Sequence, residues 1–361
     1  MDRYVVKNGK TMRCGCTTGS CAAAASKAAV IFLFSANVPK VVNIDTPKGL
    51  SLTLRIEDWE RGEGWVRCGV RKDGGDDPDV TSGLIVYSKV ETIDRGEIII
   101  TAGEGIGMVT RPGLQVEVGQ PAINPVPRAM ILKEVQKVLP LGGGVKITLS
   151  VPGGEKVAKK TFNSRLGVKD GISIIGTTGI VEPMSVGAFM DTLVLELSML
   201  SACGHRKVVL VPGNYGKYYA VKNGIDESRI VSYGNFVGLM LEKSVECGFE
   251  EVRLIGDIGK LIKVAAGIFN TTSRIADART EIMAAYAAHF GVGNETIDQI
   301  LNSNTTEEGL EVIGKAGIDI GEFSKFVAER IVQKCRWYTG DKLSIKVDLI
   351  SLKRGLLARV G

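Results

Sequence analysis

Histidine is nearly missing from this chain. Only His205 and His289 occur in 361 residues, and the one tight cysteine cluster, Cys14-Gly-Cys16-x4-Cys21, has no second pair to complete a ligand set. A zinc centre needs a full ligand set in fixed geometry, so no protein-bound metal is expected. The three thiols read as small buried side chains at a helix start. The seven cysteines are an odd number without paired spacing, which argues against a disulfide framework and for a reducing compartment, the cytoplasm. Long apolar runs are missing as well. The longest, Ala28 to Phe34, falls far short of the roughly 20 residues a spanning helix needs. Met1 to Lys10 is polar, so no signal peptide is read there and no membrane partner is expected. A strong charge imbalance is absent too: 45 Lys and Arg against 40 Asp and Glu leave +5. That is too mild and too evenly spread for nucleic acid, yet compatible with a small anionic substrate.

What is there is an ordinary globular composition, 44% hydrophobic and 24% charged. The length exceeds what one core usually serves, so two domains are expected. A homo-oligomer is compatible with all of this.

Lys10 to Phe34 reads as a loop feeding a helix, with capping hydroxyls at Thr17-Thr-Gly-Ser20 and then an alanine run. Short β-branched runs predict strands at Val41–Asp45, Leu50–Ile56, Trp65–Val70, Ile98–Thr101 and Leu114–Val118. A helix follows from Val126 to Val138, then a strand at Val145–Val151. The second half repeats strand, Gly-rich turn and helix. Strands are expected at Gly171–Ile175, Val208–Val211, Arg229–Tyr233 and Val252–Ile255, with a helix at Pro183–Leu200 and a late strand at Leu343–Leu349. The expected fold is therefore an α+β first domain over 1–195, a small mixed sheet with helices. An α/β three-layer, Rossmann-like second domain over 196–361 has a helical C-terminal part, with ligands at the carboxyl ends of its strands.

Two turns share one spacing, Gly213-Asn-Tyr-Gly216-Lys217 and Gly256-Asp-Ile-Gly259-Lys260. Each follows a strand and opens a helix, so free backbone N–H groups and a lysine face one point and can hold a carboxylate or phosphate. Tight turns with a solvated lysine would need the same glycines. Neither has P-loop spacing. Thr-Thr-Gly also occurs twice, at Thr17–Gly19 and Thr177–Gly179, each before a helix; the second copy runs on to Glu182. Glu182 suits ribose hydroxyls or a cationic cofactor, and equally a first-turn charge favoured by the helix dipole. Arg274 and Arg279 flank Asp277 at a helix entry, where they either bind anions or pair with Asp277 and Glu281. Gly103-Glu-Gly105-Ile-Gly107 follows a strand but precedes Met108-Val-Thr-Arg-Pro, which opens no helix, so it is rejected as a dinucleotide or adenosylmethionine fingerprint.

Several longer stretches resemble the CbiD family, the cobalt-precorrin-5B (C(1))-methyltransferases. They are Cys16-Thr-Thr-Gly-Ser-Cys-Ala-Ala-Ala-Ala25, Gly105-Ile-Gly-Met-Val-Thr-Arg-Pro-Gly113, Ala122-Ile-Asn-Pro-Val-Pro-Arg128 and Val151-Pro-Gly-Gly-Glu155. Further on come Ala158-Lys-Lys-Thr-Phe-Asn163, the run from Gly171 to Ser185, Gly234-Asn-Phe-Val-Gly238, Gly259 to Gly267 and Ser273-Arg274. The resemblance implies S-adenosyl-L-methionine as methyl donor, a cobalt-precorrin as acceptor, methylation at ring carbon 1 in cobalamin synthesis, and a fold other than the common class I methyltransferase. Family members tend to carry His where Asp257 and Thr272 stand, so no histidine role is implied at either position. On this reading Gly176, Thr177, Thr178, Gly179 and Glu182 hold adenosylmethionine. Thr17, Thr18, Gly19, Ser20, Lys217, Lys260 and Arg274 hold substrate carboxylates, and Asp257 handles a proton. Two alternatives stay open: a phosphate-ester or nucleotide enzyme using the Gly-rich turns, and a non-catalytic corrin-precursor carrier.

Overall fold

A computed structural model describes residues 3–7, 9–35 and 37–361. Contacts between residues divide the chain into two compact units, Met1–Gly187 and Ala188–Gly361.

The first unit is built on a five-stranded sheet. Its spatial order is Asp58–Gly62, Trp65–Arg71, Ile85–Ile93, Gly144–Ser150 and Ile98–Ala102. All neighbours are antiparallel except the last pair. Alternate residues Val66, Cys68 and Val70, then Val86 and Val90, then Val145, Ile147 and Leu149, join one buried cluster. The helix Thr18–Ser35 brings Ala22–Ala25 into that cluster with no exposed surface. Side chains this small let a helix lie close to a sheet, and Ser26 Oγ meets Ser88 Oγ at 2.9 Å. The helix is long and apolar enough to cross a membrane by composition, but most of it is buried inside this unit. Pro125–Gln136 packs beside it through Met130, Ile131 and Val135.

The strand Ile85–Ile93, hydrogen-bonded on both edges, was not marked by the sequence pattern, whereas two expected strands are not formed. Leu114–Val118 lies in turns between Gly113 and Gly119, both at positive φ, and Leu114 and Val116 fill a small cluster with Val109, Ala122 and Val168. Gly171–Ile175 makes only single bridges, Ile172 to Ile106 and Ile174 to Ile123. The rejected glycine stretch has a packing reason: a side chain at Gly105 (φ +75°) would overlap the Val151 carbonyl.

The second unit also has five strands, in the order Ile230–Ser232, Lys207–Val211, Glu251–Asp257, Ser344–Ser351 and Gly355–Val360. The first four run parallel and the last is antiparallel. Val209, Val211, Ile255 and Ile350 face one way, against Ala220 of the helix Asn214–Lys222. Val208, Leu210, Val252, Leu254, Val347 and Leu349 belong to a much larger cluster, with side chains from Val237–Glu246, Ile258–Ala265 and Ile320–Tyr338. A parallel sheet needs cover on both faces, and Lys207–Val211 accordingly reads as an almost unbroken apolar run, while Arg253, Lys346 and Asp348 interrupt the next two strands. The helix Val186–Ala202 contributes Leu193 and Leu197 to this second core. The fold is mixed α/β and is not that of the class I methyltransferases.

Candidate functional site

Strand Glu251–Asp257 ends where the chain turns into the helix Ile258–Ala265, and Asp257 caps that helix by accepting from the Gly259 N–H at 2.8 Å. Around this turn opens a cleft of about 440 Å³, lined among others by Asp257, Lys260, Lys263, Arg274 and Arg279. The carboxyl end of a parallel strand is where such a fold leaves room for a ligand. The N-terminus of a second helix, Thr306–Lys315, borders the same space through Thr305 and Thr306. Its cap uses the Thr305 hydroxyl, which accepts from the Glu308 N–H at 3.1 Å.

Electrostatics in the cleft favour anions. Lys260, Lys263, Arg274 and Arg279 line it beside Asp257, and of these Arg279 is held by Asp277. Lys260 Nζ, half-buried, donates to Asn235 Oδ1 at 2.9 Å, and burial pulls its pKa below the usual lysine value. Burial likewise pushes Asp257 above the ordinary carboxylate value, with the Gly259 N–H acting against it and Glu307 reinforcing it. Burial is the leading cause of both shifts, and the attraction between Asp257 and Lys260 works against each of them.

Of the residues singled out in the sequence, Asp257, Lys260, Arg274 and Arg279 meet in this cleft, and Thr272 lines it too. Lys217 does not reach it. Its ammonium forms an ion pair with Glu227, so its charge is already balanced.

The two Thr-Thr-Gly turns lie against each other in the first unit. Ser20 Oγ donates to the Gly179 carbonyl at 2.6 Å and the Thr17 N–H donates to the same oxygen at 3.3 Å. Thr18 Oγ1 donates to the Ile175 carbonyl at 3.1 Å and accepts from the Ile175 N–H at 2.9 Å; the Gly19 N–H donates to that carbonyl at 3.0 Å. Gly15–Cys16 and Ile180–Val181 pair beside them. Thr17, Thr18, Gly19 and Ser20 are buried, and the Ser20 N–H donates to Thr17 Oγ1 within the turn. Through the bonds to Ile175 and Gly179 the turn braces the second loop. Gly176 (φ +135°) touches Thr17 where a side chain would stand, and Gly179 faces Thr46 and Ser20. Thr177 and Thr178 are exposed. Glu182 pairs with Lys48, which holds its carboxyl below the usual range.

Sequence reasoning passed over Lys263, Asn235 and the Thr305–Thr306 helix start as cleft residues. The last carried a signal, because Thr305-Thr-Glu-Glu308 has capping-box character. The cysteine cluster leaves Cys16 and Cys21 sulfurs 3.5 Å apart, both buried. Among the described residues no three His, Cys, Asp or Glu side chains converge as a metal site would require.

The model of the CbiD family matches residues 5–183, and that of the CbiD C-terminal domain matches residues 270–361. A protein of Thermoanaerobacter sp. (strain X514) named cobalt-precorrin-5B C(1)-methyltransferase is 63% identical over 361 residues, covering 100% of this chain and 99% of the relative. A protein of the same name from Alkaliphilus metalliredigens (strain QYMF) is 49% identical, over 99% of this chain and 95% of its own length. A crystal structure of a cobalamin biosynthesis protein (cbiD) from Archaeoglobus fulgidus is 30% identical, with a TM-score of 0.41, over 76% of this chain and 87% of that one. At these identities over the full length, the chain belongs to the CbiD family.

Proposed function

We infer that this chain methylates carbon 1 of cobalt-precorrin-5B, with S-adenosyl-L-methionine as donor, giving cobalt-precorrin-6A in anaerobic cobalamin biosynthesis. The observation that carries the substrate side of this reading is the cleft that brings Lys260 and Arg274 together at the carboxyl end of a parallel strand. A corrin precursor bears several acetate and propionate groups, and Lys260 and Arg274 would hold those of one edge. The sulfonium of the donor is itself positive, so the same two cations disfavour it there. The donor side is assigned to Gly176–Gly179 and Glu182, on the strength of the exposed Thr177 and Thr178 and the φ +135° backbone at Gly176. In the transfer, the ring carbon forms a bond to the methyl carbon as the carbon–sulfur bond breaks, leaving S-adenosylhomocysteine. Asp257, with its raised pKa, takes up the proton the ring system gives off. No metal of the protein's own is assigned, and positioning can lower such a barrier by about 7–11 kcal/mol. The free thiols suit a cytoplasmic enzyme.

A second reading, a corrin-precursor carrier, draws on Asp257 and Thr272 lining one cleft, the two positions where the family resemblance leads one to expect histidine. One experiment separates the two. The purified chain is incubated with cobalt-precorrin-5B and adenosylmethionine labelled on its methyl group. Label in the corrin supports the enzyme; corrin binding without label, restored to transfer by Asp257→His with Thr272→His, supports the carrier. Absence of both corrin binding and label defeats both readings.

A further inference from the structure

Two lysines are fully buried among the described residues, and they are buried differently. Lys72, 3% exposed, has a direct counter-ion in Asp79 at 2.5 Å. Lys263, 1% exposed, has none that close: the nearest carboxylate oxygen, on Asp277, is 3.9 Å away. Its three protons go instead to the Thr271 carbonyl at 3.1 Å, the Ala276 carbonyl at 3.0 Å and Ser273 Oγ at 3.2 Å. An ammonium buried on neutral acceptors is expensive to keep, and burial draws its pKa below the usual lysine value.

The segment it grips is neither helix nor strand from Thr272 to Ala278, and it carries Thr272, Ser273 and Arg274 into the cleft wall. Its two ends, at Thr271 and Ala276, are both fastened to this one nitrogen. Past the second end, Asp277 holds Arg279 through two bonds of 2.6 and 2.8 Å, and Arg279 lines the cleft as well. We propose that Lys263 is the positioning residue of the carboxylate cleft: it fixes the Thr271–Asp277 segment so that Arg274 and its neighbours meet a substrate carboxylate pre-aligned. The residue acts through the segment, not by touching substrate. This deepens the methyltransferase reading and rests on it.

The test is steady-state kinetics of the whole chain with cobalt-precorrin-5B, alongside thermal melting. Lys263→Met keeps the length and removes the donors. It is expected to raise KM for the corrin roughly tenfold, the size of one lost charge-assisted hydrogen bond, while KM for adenosylmethionine stays unchanged. Arg274→Ala raises the same KM, and the double variant is no worse than the poorer single, because both lose one alignment. A folded Lys263→Met enzyme with wild-type KM overturns the proposal, as do additive effects of the pair. Should Lys263→Met fail to fold, Ser273→Ala, which removes one acceptor, decides: a severalfold rise in the corrin KM supports the role and an unchanged KM overturns it. If the wild-type chain binds corrin without methylating it, the methyltransferase reading fails separately. The same variants are then compared by corrin Kd from absorbance titration.

Discussion

Lys217 and Lys260 stand at the same place in two copies of one turn, each after a parallel strand and near the start of a helix. Lys217 has an acid partner in Glu227, and its charge is balanced within the protein. Lys260 is half-buried and hydrogen-bonded to the neutral amide of Asn235, with the cleft beside it. The Thr-Thr-Gly pair shows the same divergence in another form. One copy is buried with its donors engaged, and the other presents two exposed threonines. A local spacing thus supplies capability, and the neighbours decide whether any of it is left over for a ligand.

The comparison can be broken hardest in the first unit. Gly176→Val puts a branched side chain at φ +135° into Thr17, and should destabilise the unit by about 4 kcal/mol or more. Urea unfolding of the variant would show this, and a midpoint like that of wild type would mean the two turns are not tightly interlocked. Next in size is Lys260→Ala, which should raise KM for the corrin roughly 10- to 100-fold by removing one charge-assisted contact.

A subtler effect is the pH dependence. Lys260 titrates below the usual lysine value, and it must be charged to hold a carboxylate. Corrin affinity is therefore strongest below that shifted pKa and is lost as pH rises through it. Lys260→Arg stays protonated throughout, so the alkaline loss should disappear from a plot of Kd against pH between about 6 and 10. Asp257 works at the other end. As pH falls through its raised pKa the cleft loses its one negative charge, and affinity should rise until the ligand's own carboxylates protonate. The smallest effect sharpens the contrast: Lys217→Ala should change the corrin KM less than about twofold, as expected for a partly exposed ion pair outside the cleft.

The second unit could be read from its sequence because its strands are short, largely apolar segments, several of them followed by Gly-rich turns. Strands expected at Val208–Val211 and Val252–Ile255 are found as Lys207–Val211 and Glu251–Asp257. The first unit was less readable, since its regularity depends on distant partners. Ile85–Ile93 mixes Tyr, Ser, Lys, Glu and Thr into its apolar residues and is a strand because it is paired on both edges. Leu114–Val118 has the β-branched composition but no partner strand to pair with. For the cleft, Asp257, Lys260 and Arg274 could be picked out from turns and a helix entry, one at a time. Lys263 could not, since in sequence it is one more lysine on an amphipathic helix and only the fold buries it.

The bond from Ser20 to Gly179 joins residues 159 positions apart. On the ribosome, synthesis proceeds at about 5–20 residues per second, so the start of the Thr18–Ser35 helix waits roughly 10–30 s for its counterpart to emerge. During that interval an alanine-rich helix long enough to resemble a membrane span has no finished core to enter. The nascent chain of this enzyme should therefore be a client of ribosome-associated chaperones until Gly179 has cleared the exit tunnel, and truncations ending before it should aggregate.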